Sequence, residues 1–184
     1  DPGRVGAVPY GLPELYREEI VGAPLVANPG CYPTSAILPL APLLSAGLVT
    51  TADIVVDSKS GVSGAGRTPR MGTLYPECNE SISAYAVGSH RHAPEMNQVL
   101  SLAAGSGVEV IFTPHLVPMN RGILTTIYAP LAGDASEQDL IDALQAAYHA
   151  EPFVHVVKHL PATSDVSGTN HCHLTARRVR GRAV

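Results

Sequence analysis

Residues 28–47 read NPGCYPTSAILPLAPLLSAG, and this stretch is the best guide to the fold. Apolar side chains recur at helical spacing from Pro33 to Ala46, and Gly47 is typical of a residue that ends a helix. The preceding Asn-Pro-Gly turns the chain, so that Cys31 lies where the helix starts. The stretch therefore predicts an apolar helix with a cysteine at its N-terminal end.

Outward from this helix, strand and helix patterns follow each other without regular β-α alternation. Residues 1–23, rich in Gly and Pro, predict an extended arm, and further helices are expected near Pro94 and at Ser136, where Ser136–Asp139 resembles a capping box. Strands are predicted at 24–28, 53–58, 108–114, 123–128 and 153–157. This order predicts an α+β fold with a mixed, mostly antiparallel sheet covered by helices.

Composition excludes several classes of protein. The chain has 184 residues, 45% of them hydrophobic and 15% charged, with a net charge of −4. Disordered segments are less hydrophobic and more charged, and nucleic-acid binders that act through bulk charge are basic. No apolar run approaches the about 20 residues of a membrane span, and three cysteines are too few for a disulfide scaffold. We predict a single soluble, cytoplasmic domain that binds neither nucleic acid nor membrane.

Cys31 is the leading candidate for a nucleophile. Unpaired backbone N–H groups and the helix dipole at a helix N-terminus stabilise a thiolate. The same N–H groups can stabilise an oxyanion that develops on a bound acyl group. The alternative is an inert cysteine buried before a helix, which is the usual state of a free cysteine.

A second candidate lies in Gly88–Glu95, which reads GSHRHAPE. His90 precedes a predicted helix, and the positive helix end favours the neutral imidazole that a general base requires. A cysteine and a histidine together are the minimal pair for covalent acyl chemistry. The alternative is that either histidine, His90 or His92, merely caps the turn.

A glycine-rich loop, Ser60–Arg67, is the third candidate, since its backbone N–H groups could face a flat ring or an anion beside Arg67. Eight histidines raise the question of a metal. His90/His92, His155/His159 and His171/His173 are closely spaced pairs, but they are far apart in sequence and no C-x-x-C is present. We therefore predict no metal site.

Taken together, these segments resemble the N-acetyl-γ-glutamyl-phosphate reductase family, which is related to aspartate-semialdehyde dehydrogenase. The matching segments follow one another in the family's order over most of the chain. They are residues 10–14 (YGLPE), 28–34 (NPGCYPT), 60–67 (SGVSGAGR), 90–95 (HRHAPE), 112–122 (FTPHLVPMNRG) and 160–163 (LPAT).

The resemblance implies an NADP-dependent oxidoreductase of arginine biosynthesis that reduces N-acetyl-γ-glutamyl phosphate to N-acetyl-glutamate 5-semialdehyde and releases phosphate. Cys31 would form a thioester, NADPH would deliver hydride, and His90 would act as acid and base. The Cys31 backbone and Asn28 would stabilise the oxyanion.

The resemblance also suggests the groups that surround the reaction. We expect Arg67, Arg91 and Glu95 to contact substrate, and Ser60 and Gly61 to border the nicotinamide. It further implies the fold of the C-terminal domain of glyceraldehyde-3-phosphate dehydrogenase, and a homo-oligomer formed through the sheet.

The family's Rossmann domain, with its G-x-G-x-x-G loop, has no counterpart in this sequence. We therefore expect residues 1–184 to be a substrate-binding, catalytic and oligomerisation domain, with NADPH bound mainly by the absent domain, so that this chain alone is inactive. Alternatives are a semialdehyde dehydrogenase acting on an aspartyl phosphate, a non-catalytic oligomerisation module and a cysteine hydrolase.

Overall fold

The computed structural model describes residues 8–184. Within that range no helix combines the length and the apolar character needed to cross a membrane. The helices are α1 (Pro13–Ile20), α2 (Cys31–Ser45), α3 (Tyr75–Cys78), α4 (His92–Ala104) and α5 (Glu137–Tyr148). The strands are β1 (Ile54–Ser60), β2 (Ser83–Ala84), β3 (Val110–Leu116), β4 (Ile123–Pro130), β5 (Val154–Val156), β6 (Cys172–Leu174), β7 (Arg178–Val179) and β8 (Arg182–Ala183).

Six of these strands form one sheet in the order β2-β3-β1-β4-β8-β7. The central pair β1 and β3 is parallel, whereas every other neighbouring pair in this sheet is antiparallel. The strands β5 and β6 form a separate parallel pair. The α+β prediction with a mostly antiparallel sheet is confirmed.

Two local predictions near the N-terminus are wrong. Residues 24–28 do not form a buried strand, because Leu25 is half-exposed and the segment is held only by backbone bonds between Ala27 and Pro9–Gly11. The predicted extended arm contains α1, which begins at Pro13, a residue whose fixed φ suits a first helical position. The first seven residues of that arm lie outside the described residues.

Helix α2 is the centre of the core. It packs against α4, α5 and β4, and nine of its fifteen residues are buried. Two prolines lie inside this helix, and Pro42 has no N–H to donate to the carbonyl of Leu38 one turn earlier. The Tyr148 hydroxyl of α5 donates to that carbonyl instead, at 2.5 Å. The long-range bond thus satisfies a buried acceptor that the helix itself leaves unpaired.

The large sheet has two different faces, because side chains alternate along each strand. Ile54, Val56 and Ser58 of β1 are buried on the helix side. On the outer side, Ile111 is 57% exposed and Tyr128 38% exposed. At the centre of that outer face, Asp57 Oδ1 lies 2.9 Å from the ammonium of Lys59 and 3.1 Å from Nδ1 of His115. The outer face is therefore apolar at the end that carries Ile111 and Tyr128 and polar at its centre.

The capping box at the start of α5 is confirmed. The Ser136 hydroxyl accepts the Asp139 N–H at 3.1 Å, and the Asp139 carboxylate accepts the Ser136 N–H at 2.8 Å. These bonds satisfy helix N–H groups that have no partner inside the helix, and they hold the pKa of Asp139 below its usual range.

We expect Ser136→Ala to lower the free energy of unfolding by about 1 kcal/mol, the usual cost of losing an N-cap oxygen. Urea denaturation followed by circular dichroism measures this, with Ser106→Ala in the exposed loop after α4 as the control. Equal stability of the two variants would contradict the role given to the cap.

Candidate active site

Cys31 is the first residue of α2 and is exposed to solvent. It opens into a cavity of about 1290 Å³ between α2, the end of β1 and the segment 160–177. Ser60, Gly61 and Arg121 line the same cavity. The fold therefore brings the predicted nucleophile and the two residues predicted to border the cofactor to one cavity.

The turn before Cys31 is held by a carboxylate from another helix. Glu95, in the first turn of α4, accepts the backbone N–H of Gly30 at 2.8 Å and the hydroxyl of Tyr10 at 2.7 Å through the same oxygen. Burial and the bond to Glu95 both raise the pKa of Tyr10, so its hydroxyl stays a donor. The carboxylate thereby ties three distant segments together at the residue before the nucleophile.

A close approach at Gly30 joins the same two helices. A side chain at this position would place its Cβ 2.6 Å from Nε2 of His92, the first residue of α4. Only glycine fits beside that buried ring. Thr34 completes the turn, since both its N–H and its hydroxyl donate to the Gly30 carbonyl at 3.0 Å.

His90 has a defined tautomer. Its Nδ1 accepts the backbone N–H of His92 at 3.1 Å, so the neutral ring carries its proton on Nε2. Burial lowers the pKa of His90, and the neighbouring His92 and Arg91 lower it further. Burial also lowers the pKa of His92. Burial therefore favours the neutral form of both rings, while the role of His90 as a base stays a prediction.

An aromatic cluster surrounds His90. Tyr32, Tyr85 and Phe112 meet its ring edge to face, with ring centroids 5.2 to 5.7 Å apart. The hydroxyls of Tyr32 and Tyr85 are 2.7 Å apart, and burial is the main cause that raises the pKa of each. The charge of a Cys31 thiolate raises both further, so these hydroxyls remain protonated beside the cysteine.

The glycine-rich loop does not offer a free anion cradle. The N–H groups of Gly61, Val62 and Ser63 donate to carbonyls of residues 119–122, and those of Gly64 and Gly66 donate within the loop. A Cβ at Gly61 would lie 2.8 Å from the Arg121 backbone nitrogen, so this position requires glycine. These bonds make the loop a rigid wall of the cavity.

The other predicted residues are not among those that line the cavity into which Cys31 opens. Asn28 is exposed, and its amide donates to the Pro29 carbonyl at 3.3 Å. Arg67 is exposed on the glycine-rich loop, and Arg91 is exposed just before α4. Glu95, expected to contact substrate, is instead bonded to Gly30 and Tyr10. The assignments of all these residues to oxyanion, substrate or cofactor stay predictions.

Sequence reasoning missed the residues that act through long-range contacts. Tyr10 and Tyr85 belong to segments that carry no sign of their partners, because hydrogen bonds across 85 and 53 residues leave no local pattern. Arg121 follows the Pro118-Met119-Asn120 segment and supplies a positive charge at the cavity that holds Cys31. The described residues thus offer an exposed thiol and a cation at one cavity, and an imidazole of lowered pKa just before α4. A thiol and an imidazole are groups that covalent acyl chemistry can use.

Comparison with known proteins gives three consistent findings. Residues 31–184 match the family described as semialdehyde dehydrogenase, dimerisation domain. The N-acetyl-gamma-glutamyl-phosphate reductase of Rhodopirellula baltica is 59% identical over 188 residues, covering 100% of this chain and 54% of that protein. The protein of the same name from Magnetococcus marinus is 56% identical over 167 residues, covering 90% of this chain and 48% of that protein.

The chain thus spans about half the length of the curated relatives it matches. Among solved structures, aspartate semialdehyde dehydrogenase II from Vibrio cholerae, complexed with ASA, superposes with a TM-score of 0.72 at 16% identity. That match covers 96% of this chain and 60% of the other. At this identity the likeness concerns the fold.

We expect Glu95→Ala to destabilise the Cys31 turn, because the partly buried Gly30 N–H and Tyr10 hydroxyl both lose their acceptor. A loss of about 1 to 3 kcal/mol in the free energy of unfolding follows from stranding such donors. Glu95→Gln keeps an acceptor oxygen and should lose less than Glu95→Ala. Urea denaturation of the three proteins measures the order, and equal losses for both variants would contradict it.

Proposed function

The chain belongs to the semialdehyde dehydrogenase family by its dimerisation domain, and on that premise we propose that it is the catalytic half of an N-acetyl-γ-glutamyl-phosphate reductase. The observation that carries the proposal is Cys31, exposed at the N-terminus of α2, beside a cavity and a histidine-bearing helix end, in a chain 59% identical to a protein of that name.

The first step forms a thioester. The Cys31 thiolate attacks the acyl carbon of N-acetyl-γ-glutamyl phosphate, the C–O bond to the phosphoryl oxygen breaks, and inorganic phosphate leaves with the electron pair. Free N–H groups at the start of α2 stabilise the oxyanion, with Asn28 as a further donor. Arg67, Arg91 and Arg121 are the cations proposed to attract the phosphate and carboxylate groups of the substrate.

His90 is proposed to handle protons at Nε2, since its Nδ1 is used by the His92 N–H. A neutral ring with its proton on Nε2 donates a hydrogen bond to the oxygen that develops negative charge. The ring can accept the thiol proton at Nε2 only after its own proton has moved to Nδ1. That move breaks the hydrogen bond that Nδ1 accepts from the His92 N–H. His90 is therefore the proposed acid and base, and Glu95 is a positioning residue that holds the turn before Cys31.

The described residues suit only the edge of a nicotinamide cofactor. NADPH, when bound, supplies the hydride that converts the thioester carbon to the aldehyde level. Ser60 and Gly61 line the cavity that holds Cys31, and Gly61 presents no side chain there. The loop N–H groups are already bonded, so the cofactor phosphates are proposed to bind outside this chain, and the chain alone is proposed to be inactive.

Residues 1–184 would thus form a substrate-binding and oligomerisation domain of an NADP-dependent enzyme of arginine biosynthesis in the cytoplasm. The outer face of the large sheet is the proposed subunit contact of a homo-oligomer. Its exposed apolar side chains include Ile111 and Tyr128, and such a face is stabilised when a second copy covers it. The 12–18% identities to aspartate semialdehyde dehydrogenases concern the fold and do not favour an aspartyl phosphate as substrate.

We expect Cys31→Ser to reduce phosphate release from N-acetyl-γ-glutamyl phosphate at least about 1000-fold in the enzyme with its cofactor domain present, because the thioester cannot form. Cys78→Ser, at a buried thiol in α3, is the matched control and should retain activity. Parallel assays with aspartyl phosphate test the substrate. Undiminished turnover by Cys31→Ser would contradict the mechanism, and faster turnover of aspartyl phosphate would contradict the proposed substrate.

We expect Ile111→Asp to dissociate the oligomer, because it introduces a charge on the outer face of the sheet. Leu102→Asp changes a side chain of similar exposure on α4 and is the control that should leave assembly unchanged. Sedimentation velocity over a range of concentrations measures both. A monomeric parent protein at every concentration, or an intact oligomer in Ile111→Asp, would contradict assembly through this face.

A further inference from the structure

We propose that His159, Asp165 and His173 form a binding site for a divalent transition-metal cation, with Zn²⁺ as the probe. One ligand atom from each of these three side chains lies within 4.8 Å of the other two. None of these three side chains has a role in the proposed reaction, although His173 lines the cavity into which Cys31 opens. Metal binding is measured without substrate, so its failure would leave the proposed function unaffected.

The small parallel sheet creates this arrangement. His155 of β5 lies directly opposite His173 of β6, while Val154 and Leu174 are buried. His171 and His173 are two residues apart and share one side of their strand. Four of the eight histidines thereby form a continuous row.

Ring contacts define the order of that row. The centroid separations are 6.2 Å between His159 and His173, 5.6 Å between His173 and His155, and 4.7 Å between His155 and His171. The row runs from the proposed site toward His171. Sequence separation had argued against a metal here, and the pairing of β5 with β6 removes that argument.

The donor atoms are close to the spacing that a metal requires. Tetrahedral zinc with bonds of about 2.0 Å places its ligand atoms about 3.3 Å apart. Nε2 of His159 is already 3.1 Å from Oδ2 of Asp165. The ligand atom of His173 lies within 4.8 Å of these two atoms, and a small rotation of its side chain would bring it to ligand distance.

Asp165 is prepared to act as an anionic ligand. It lies in the 3₁₀ turn Thr163–Asp165, and its Oδ2 also accepts the Ala162 N–H at 2.8 Å. The carboxylate is therefore fixed in orientation beside the imidazole of His159.

His173 supplies the second observation. Its Nδ1 is shielded from solvent and has no hydrogen-bond partner among the described residues. A buried polar atom without a partner is costly, and a bound ion at this ring would organise the cluster that surrounds it. Two imidazoles and one carboxylate suit Zn²⁺, Ni²⁺, Co²⁺ or Cu²⁺, whereas Mg²⁺ and Ca²⁺ prefer all-oxygen ligand sets.

The test is calorimetric titration of ZnCl₂ into the chain at pH 7.5. The Cys31→Ser background prevents the exposed thiol from binding zinc. We expect one bound ion per chain, an affinity at least about 10-fold lower in His159→Gln and in His173→Gln, and no response to Mg²⁺. His149→Gln, at an exposed histidine just beyond α5, is the matched control and should bind like the background protein.

A second measurement separates this site from a diffuse histidine surface. Zinc should raise the melting temperature of the background protein and of His149→Gln, but not of His159→Gln or His173→Gln. Binding should weaken at pH 5.5, because imidazoles must be neutral to coordinate. Unchanged affinity in His159→Gln and His173→Gln, loss of binding only in His155→Gln or His171→Gln, or no binding by the background protein would each overturn the proposal.

Discussion

The contact between the N-termini of α2 and α4 is the constraint on which the candidate site depends. One oxygen of Glu95 holds the Gly30 N–H and the Tyr10 hydroxyl, while the His92 ring occupies the space that a side chain at Gly30 would need. Because of this contact, Cys31 starts α2 at an exposed position. His90 lies just before the N-terminus of α4, and the His92 N–H sets its tautomer. A partly buried carboxylate, a glycine and the His92 ring thus hold the start of α2 against the start of α4.

One face of the large sheet packs against this helix pair, and the other face is exposed. Thr125 of β4 joins both layers, since its hydroxyl lies 2.8 Å from that of Ser35 in α2 and 2.9 Å from that of Ser58 in β1. Alternation along the strands then leaves apolar side chains on the outer side. One sheet therefore supports the helix that carries Cys31 on one face and leaves its other face exposed, which is the face proposed to contact a second copy.

Local sequence patterns correctly predicted the helices whose apolar residues are buried in the core. The apolar spacing of Pro33 to Ala46 and the capping box at Ser136 correspond to α2 and α5, and the helix expected near Pro94 corresponds to α4. Residues 24–27 are apolar but lie at the surface, because no neighbouring strand covers them and only the short pairing with Pro9–Gly11 holds them. The separation of the histidine pairs in sequence was equally misleading, since parallel pairing of β5 and β6 brings them side by side.

The sequence by itself determined the fold class, the position of Cys31 at a helix start and the family resemblance, because these depend on short periodicities and on motifs of a few residues. Only the tertiary structure decided that Glu95 holds Gly30, that Tyr148 satisfies the Leu38 carbonyl beside Pro42, and that His159, Asp165 and His173 converge. The physical reason is that each of these contacts joins groups from different elements. Their meeting depends on strand register and helix packing, and a hydrogen bond between residues 65 or 110 positions apart has no local signature.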